Sequence, residues 1–96
     1  MINQNMIKKI NKMKQDMMKA QEEINNSTFY ASAGGGLVSV EAKGTKEIVS
    51  IKIEEIDDKE MLEEALVAAI NSVIEKIDKE TEEVMSQFTQ GMPGLF

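Results

Sequence analysis

Apolar residues in the first quarter of the chain recur at helical spacing. They alternate between intervals of four and three residues, at Met6, Ile10, Met13, Met17, Ala20 and Ile24. This spacing is typical of a helix that packs one apolar seam against a partner helix. Residues 3–25 contain no Gly or Pro and end in an Asn-Asn-Ser sequence, which favours a turn. The pattern predicts a first helix over residues 3–25.

Residues 28–56 change to a period of two, and turn signals at Gly34-Gly35-Gly36 and Gly44-Thr45 divide them. Two-residue loops at 34–35 and 44–45 would bring apolar residues together on one face. A slip of one residue would place serines there instead, so the pattern specifies the face. We predict a three-stranded antiparallel meander in which these residues pair: Phe29 with Val40, Ala31 with Val38, Val38 with Ile51 and Val40 with Val49.

The helical period returns from about residue 58 to residue 88, and Asp58 is the predicted N-cap. About 30 residues at ~1.5 Å each make a helix of about 45 Å, whereas a compact chain of this length is only about 30 to 35 Å wide. The last helix should therefore overhang, and its apolar side and the open strand edges should be covered by a second copy. The expected core and dimer seam comprises Met6, Ile10, Met13, Met17, Ile24, Val38, Val40, Val49, Ile51, Leu66, Val73 and Ile77.

Composition removes several chemistries. The 96 residues include no Cys, His, Trp or Arg, so thiol nucleophiles, imidazole bases and the usual zinc ligand sets are excluded. The acidic residues of 54–64 lack the spacing of a calcium loop and are better explained by helix capping and solubility. The three glycines precede a strand, which favours a turn over a phosphate loop. We expect one domain over residues 1–96, with flexible ends at 1–2 and 89–96, no enzymatic activity, and neither metal nor cofactor.

Charge is distributed unevenly along the chain. Residues 1–20 carry five lysines and one aspartate, a net +4, whereas residues 54–83 carry twelve acids and three lysines, a net −9. Lys8, Lys12 and Lys19 fall within about 40° of one another on the first helix, opposite its apolar seam, and Gln15 completes the row. This row is either a solvated face or a set of charges able to neutralise phosphates along a groove.

Two further features bear on partners and location. No apolar run approaches the ~20 residues that span a bilayer, so we expect a cytoplasmic protein that does not contact membranes. The chain has eight methionines, four of them in the first helix, and these either pack in the seam or form an adaptable protein-binding surface. A protein-interaction adaptor is thus the alternative to a DNA-binding protein.

Several strings, in order, resemble the YbaB/EbfC family of bacterial nucleoid-associated proteins over nearly the whole chain. They are MMKAQEEI at 17–24, GGGLVSV at 34–40, Gly44, DKEMLEEALVAAIN at 58–71 and GMPGLF at 91–96. The resemblance implies an α+β fold of helix, three strands and long helix, and a tweezer-like homodimer. It also implies binding of double-stranded DNA at the nucleoid, with effects on gene expression.

On this resemblance, the lysines of the projecting helices are the expected DNA contacts. By their charge and position the candidates are Lys8, Lys9, Lys12, Lys14, Gln15 and Lys19 of the first helix and Lys76 and Lys79 of the last. The chain departs from the family pattern by lacking an Asp-Pro turn before the last helix and by carrying only Glu75-Lys76 where relatives have a basic pair. Because Arg is absent, we expect salt-sensitive, sequence-tolerant binding.

Overall fold

The computed structural model describes residues 3–89 and has the predicted α+β architecture. Its elements are α1 (Gln4–Asn26), β1 (Thr28–Ala33), β2 (Val38–Lys43), β3 (Ile48–Ile53) and α2 (Lys59–Thr89). The strands form one antiparallel sheet in the order β1-β2-β3. Both helices and the meander are therefore confirmed. Of the predicted flexible ends, residues 1–2 and 90–96 lie outside the described residues, and Thr89 is the last residue of α2.

Side chains cap the start of both helices. The Asn3 side chain accepts a hydrogen bond from the Met6 backbone N–H (2.8 Å), and Asp58 Oδ1 accepts one from the Met61 N–H (3.1 Å). Each bond satisfies a backbone donor that has no partner within the helix. The predicted N-cap at Asp58 is thus confirmed.

The predicted pairing of the first hairpin is wrong by two residues. Ala31 pairs with Val40 and Phe29 with Ala42, whereas Val38 pairs with Ala33. Four residues, 34–37, connect the strands because all three glycines adopt positive φ, and the Leu37 N–H closes the turn on the Gly34 carbonyl (3.3 Å). A positive φ costs glycine little, so the run of three favours a wider loop than two residues.

The second hairpin also differs from the prediction by two residues, in two separate steps. Lys46 has φ 76 and the Lys43 N–H bonds the Glu47 carbonyl (2.9 Å), which makes a three-residue loop. A bulge between Glu41 and Ala42 adds the second step. Each step shifts the pairing of β3 by one residue, and two such shifts return its apolar side chains to the predicted face of the sheet. Val40 therefore pairs with Ile51 and Val38 with Ile53, so that apolar residues stand opposite one another.

The core lies between the sheet and α2. One face of the sheet buries Ala31, Val38, Val40 and Ala42, and α2 covers it with Ala65, Ala69, Val73 and Ile77. Val38, Val40, Val73 and Ile77 are thus core residues as predicted, whereas Leu66 is half-buried at the margin. The two buried alanines of α2, Ala65 and Ala69, have short side chains that let the helix lie close to the sheet.

The molecule is elongated. It measures 67 × 21 × 14 Å and has a radius of gyration of 19.0 Å, against about 12.5 Å for a compact chain of this length. The predicted overhang is confirmed: α2 covers the sheet through Ile77, and its later turns lie beside α1, where Ala20, Ile24 and Val84 line one cleft. We call α1 (residues 4–26) together with the part of α2 beyond the core (residues 78–89) the arm.

Candidate nucleic-acid interface

The C-terminal end of α1, which leads into β1, is held close to the turn between β2 and β3. The Gly44 N–H donates to the Ser27 carbonyl (3.0 Å), and the Ser27 hydroxyl donates to the Glu23 carbonyl (2.7 Å). A Cβ on Gly44 would stand 1.8 Å from the Ile24 carbonyl oxygen. Only glycine permits this approach, and the turn therefore sets the direction in which the arm leaves the sheet.

Burial along α1 divides the helix into two faces. Ile24 is buried, and Ile10, Met13, Met17 and Ala20 are half-buried on the seam side. Ala20 and Ile24 line a cleft together with Val84 of α2, so this part of the predicted seam packs within one chain. Met6 lies near the start of α1 and is 48% exposed.

The lysines of α1 occupy the other face. Lys8, Lys12, Lys19 and Gln15, which we call the lysine stripe, are all exposed, as are Lys9 and Lys14. Within residues 3–89 the one ion pair joins Lys46 to Asp78 (2.7 Å), so the stripe's ammonium groups face solvent. From Lys8 to Lys19 the stripe spans about 16 Å of helix axis, a length over which duplex DNA carries roughly ten phosphates on its two strands.

The two candidate lysines of α2 are not part of the stripe. Lys76 Nζ donates to the Tyr30 carbonyl (2.6 Å) at the edge of β1. Lys79 is exposed and lies beside Glu80 and Glu83. The α2 side of the arm also carries Asp78 and Glu82, so the arm has a basic α1 side and an acidic α2 side.

A second surface is apolar and uncovered. Among the described elements, α2 packs on β1 and β2 and not on β3, which leaves Val49, Ile51 and Ile53 exposed by 42%, 42% and 47%. The sequence pattern predicted Val49 and Ile51 as core or dimer residues, and neither is buried within the chain. The predicted register placed Ile53 beyond the paired residues.

The flank of α2 beside β3 is apolar as well. Leu66, Ile70 and Ile74 are half-buried and spaced four residues apart. The same row continues to Asp78, which pairs with Lys46 in the loop leading into β3, whereas Lys76 on the other flank reaches β1. The row therefore faces the β3 side. We call the surface between this row and the exposed Ile51 and Ile53 the β3 notch.

Residues 3–89 were also searched for groups of metal ligands and for membrane-spanning helices. No three His, Cys, Asp or Glu side chains of residues 3–89 gather as they would around a metal ion. None of the helices formed by these residues is long and apolar enough to cross a bilayer. The exposed lysines of α1 and the β3 notch are the surfaces with the clearest capacity for binding.

A scan against models of protein families matches residues 1–92 to the YbaB/EbfC DNA-binding family. The chain belongs to the YbaB/EbfC family. Similar curated proteins include the nucleoid-associated protein OB0030 of Oceanobacillus iheyensis, 47% identical over 96% of this chain and 94% of its own length. The nucleoid-associated protein NT01CX_0824 of Clostridium novyi is 46% identical over 96% of this chain and 86% of its own.

Among solved structures, the uncharacterized protein HP0035 of Helicobacter pylori superposes with a TM-score of 0.76. It is 21% identical and the match covers 91% of this chain and 97% of that one. At this identity the similarity concerns the fold. The family membership, together with the fold, bears out the resemblance to this DNA-binding family.

Proposed function

We propose that this protein is a non-enzymatic, nucleoid-associated DNA-binding protein that acts as a homodimer. In this account the lysine stripe on α1 neutralises DNA phosphates, and the protein influences gene expression by occupying DNA at the nucleoid, in the cytoplasm. The observation that carries the proposal is the exposed row of Lys8, Lys12 and Lys19 on the α1 face opposite the seam, which forms no ion pair with residues 3–89.

Electrostatics favours the basic α1 side of the arm as the main DNA contact. The chain's net charge is −6, so most of its surface repels DNA, and the local +4 of residues 1–20 decides the orientation of approach. Lys9 and Lys14 flank the stripe and add to its potential. Lys76 and Lys79 do not add to the stripe, because Lys76 Nζ is held at the β1 edge by the Tyr30 carbonyl and Lys79 lies beside Glu80 and Glu83.

The proposed dimer forms through the β3 notch. Soluble proteins rarely leave a contiguous apolar surface of this kind uncovered, and a second copy offers a matching row of Leu66, Ile70 and Ile74. A two-fold contact would bury this row and the exposed β3 residues of both chains at once. The arms lie outside the notch, so each would remain free to project in a tweezer-like pair.

The direct test is the affinity of the protein for duplex DNA at several salt concentrations. Replacing Lys8, Lys12 and Lys19 together with Gln should weaken binding at least tenfold at low salt. It should also reduce the slope of log affinity against log salt by about one for each phosphate that the variant no longer neutralises. Lys46→Gln with Lys59→Gln is the control, because these exposed lysines lie off the stripe and should leave affinity within about twofold. An unchanged salt slope for the stripe variant would mean that the α1 lysines do not neutralise DNA phosphates.

An adaptor function is the second candidate, and exposed methionines favour it. Met18 and Met61 are 72% and 52% exposed, and the thioether adapts to varied partner surfaces. The same titration separates the two functions. Salt-dependent retention of DNA at micromolar concentration or below supports DNA binding, whereas a stoichiometric protein partner with no retention of DNA supports the adaptor.

A further inference from the structure

The face of the sheet turned away from α2 is open and polar. In β1 and β2 the buried residues alternate with exposed ones, so Tyr30 and Ser32 of β1 and Ser39 of β2 lie on the side opposite the core. Together with Ser50 and Lys52 of β3 they line a shallow basin of about 500 Å³, and Lys76 reaches the same basin at the β1 edge. We call this surface the outer sheet face.

Two lysines stand on either side of a row of hydroxyl groups. Ser32 pairs with Ser39, and Ser39 pairs with Lys52, so these three side chains cross the sheet side by side. Strands are spaced about 4.8 Å apart, which places β1 and β3 roughly 10 Å from each other. Lys76 Nζ is held at the β1 side by the Tyr30 carbonyl (2.6 Å).

The local charge of this face is opposite to that of the whole molecule. Lys52 and Lys76 line the basin, and Lys43 follows on the same side of β2; the one carboxylate among the basin's lining residues is Glu41. The residues that line the basin therefore carry one excess positive charge on a chain whose net charge is −6, and Lys43, outside the basin, stands opposite Glu47 at the β2–β3 turn. Serine hydroxyls and lysine ammonium groups are typical donors to phosphate oxygens, and they fix position without reading sequence.

We propose that the outer sheet face is a second contact surface for the phosphate backbone of duplex DNA. This inference rests on the proposed function and adds a site to it. The β3 notch uses the opposite face of the sheet, so a dimer would keep both outer faces open. Duplex DNA is the occupant that fits, because the face offers positive charge and hydroxyl donors, and Tyr30 is the one large side chain with apolar surface among the residues lining its basin.

Charge variants of the intact protein test this surface. Lys43→Gln with Lys52→Gln should weaken binding of a duplex three- to tenfold at low salt and lower the slope of log affinity against log salt by about one to two. Glu41→Gln should strengthen binding two- to threefold, since it removes the carboxylate from the basin. Lys46→Gln with Lys59→Gln is matched in charge to the first variant and should stay within twofold of the parent. Circular dichroism checks that each variant is folded.

The outcomes distinguish the two proposals. If the stripe variant loses affinity while Lys43→Gln with Lys52→Gln matches the control pair, the proposed function stands and the outer sheet face is overturned. If the sheet variant weakens binding and Glu41→Gln strengthens it, the second surface is supported. If neither the stripe variant nor the sheet variant changes the salt slope, both proposals are overturned.

Discussion

Gly44 has a structural role that its place in a turn does not reveal. The sequence marks it as a turn residue, yet its φ is not in the positive range, and the requirement for glycine comes from the Ile24 carbonyl oxygen packed against it. Contacts between segments twenty residues apart are not visible in local patterning. The structure therefore adds a residue that fixes how α1 meets the sheet.

Gly44→Ala should lower the free energy of unfolding by about 2 kcal/mol or more, because a Cβ 1.8 Å from the Ile24 oxygen forces backbone to move. Urea denaturation followed by circular dichroism measures this. Gly35→Asn is the comparison: nothing lies within 4 Å of that position, and asparagine tolerates positive φ. Equal losses in the two variants would contradict a steric role for Gly44.

Asp58 is the second residue whose contribution can be isolated. Asp58→Ala removes the acceptor for the Met61 N–H and should cost about 1 kcal/mol, the usual value of an N-cap. Asp57→Ala is the control, because it removes the same charge one residue earlier in the chain. If Asp57→Ala proved as destabilising as Asp58→Ala, the effect would be one of charge and not of capping.

At the scale of elements, periodicity predicted both helices, the meander and its buried face, but not the strand register. Each hairpin is offset by two residues, from glycines with positive φ in one and from Lys46 and a bulge in the other. An even offset leaves every side chain on its original face, so Val38 and Val40 are buried as expected although their partners differ. Loop length and bulges depend on tertiary contacts that alternation does not encode.

Residue spacing along a helix predicted both the lysine stripe and the apolar seam of α1. It did not predict the outer sheet face. Its signal is present in the alternation of Ser39, Glu41 and Lys43 with buried neighbours. What the sequence could not supply is the position of Lys76, which a hydrogen bond to Tyr30 places beside the sheet instead of along the arm. That bond also occupies a backbone acceptor at the edge of β1, where another strand could otherwise pair.

Packing between the helices of the arm makes its own prediction. Val84 is half-buried and lines one cleft with Ala20 and Ile24, so Val84→Asp places a charge in this contact. We expect a loss of about 2 to 3 kcal/mol in unfolding free energy, read as a lower thermal midpoint. Glu82→Gln, at an exposed position two residues earlier, should change the midpoint little. A folded Val84→Asp variant of parental stability would mean that the arm does not depend on this contact.

For the whole molecule, elongation and charge separation act together. A 67 Å particle with a basic face on its arm and an acidic remainder can approach a polyanion productively in few orientations. Dimerisation through the β3 notch would give the particle two such arms with a fixed separation. Binding of DNA by one arm would then raise the effective concentration of the other.

The oligomeric state tests the central claim most directly. Sedimentation equilibrium should give a mass of about 21 kDa for the protein, twice the 10.7 kDa of one chain. Ile51→Asp with Ile53→Asp should give a folded monomer, because both changes lie in the β3 notch, whereas Ser39→Asp with Ser50→Asp on the opposite face should remain dimeric. A parent protein of about 11 kDa at micromolar concentration, or a notch variant that stays dimeric, would contradict the account.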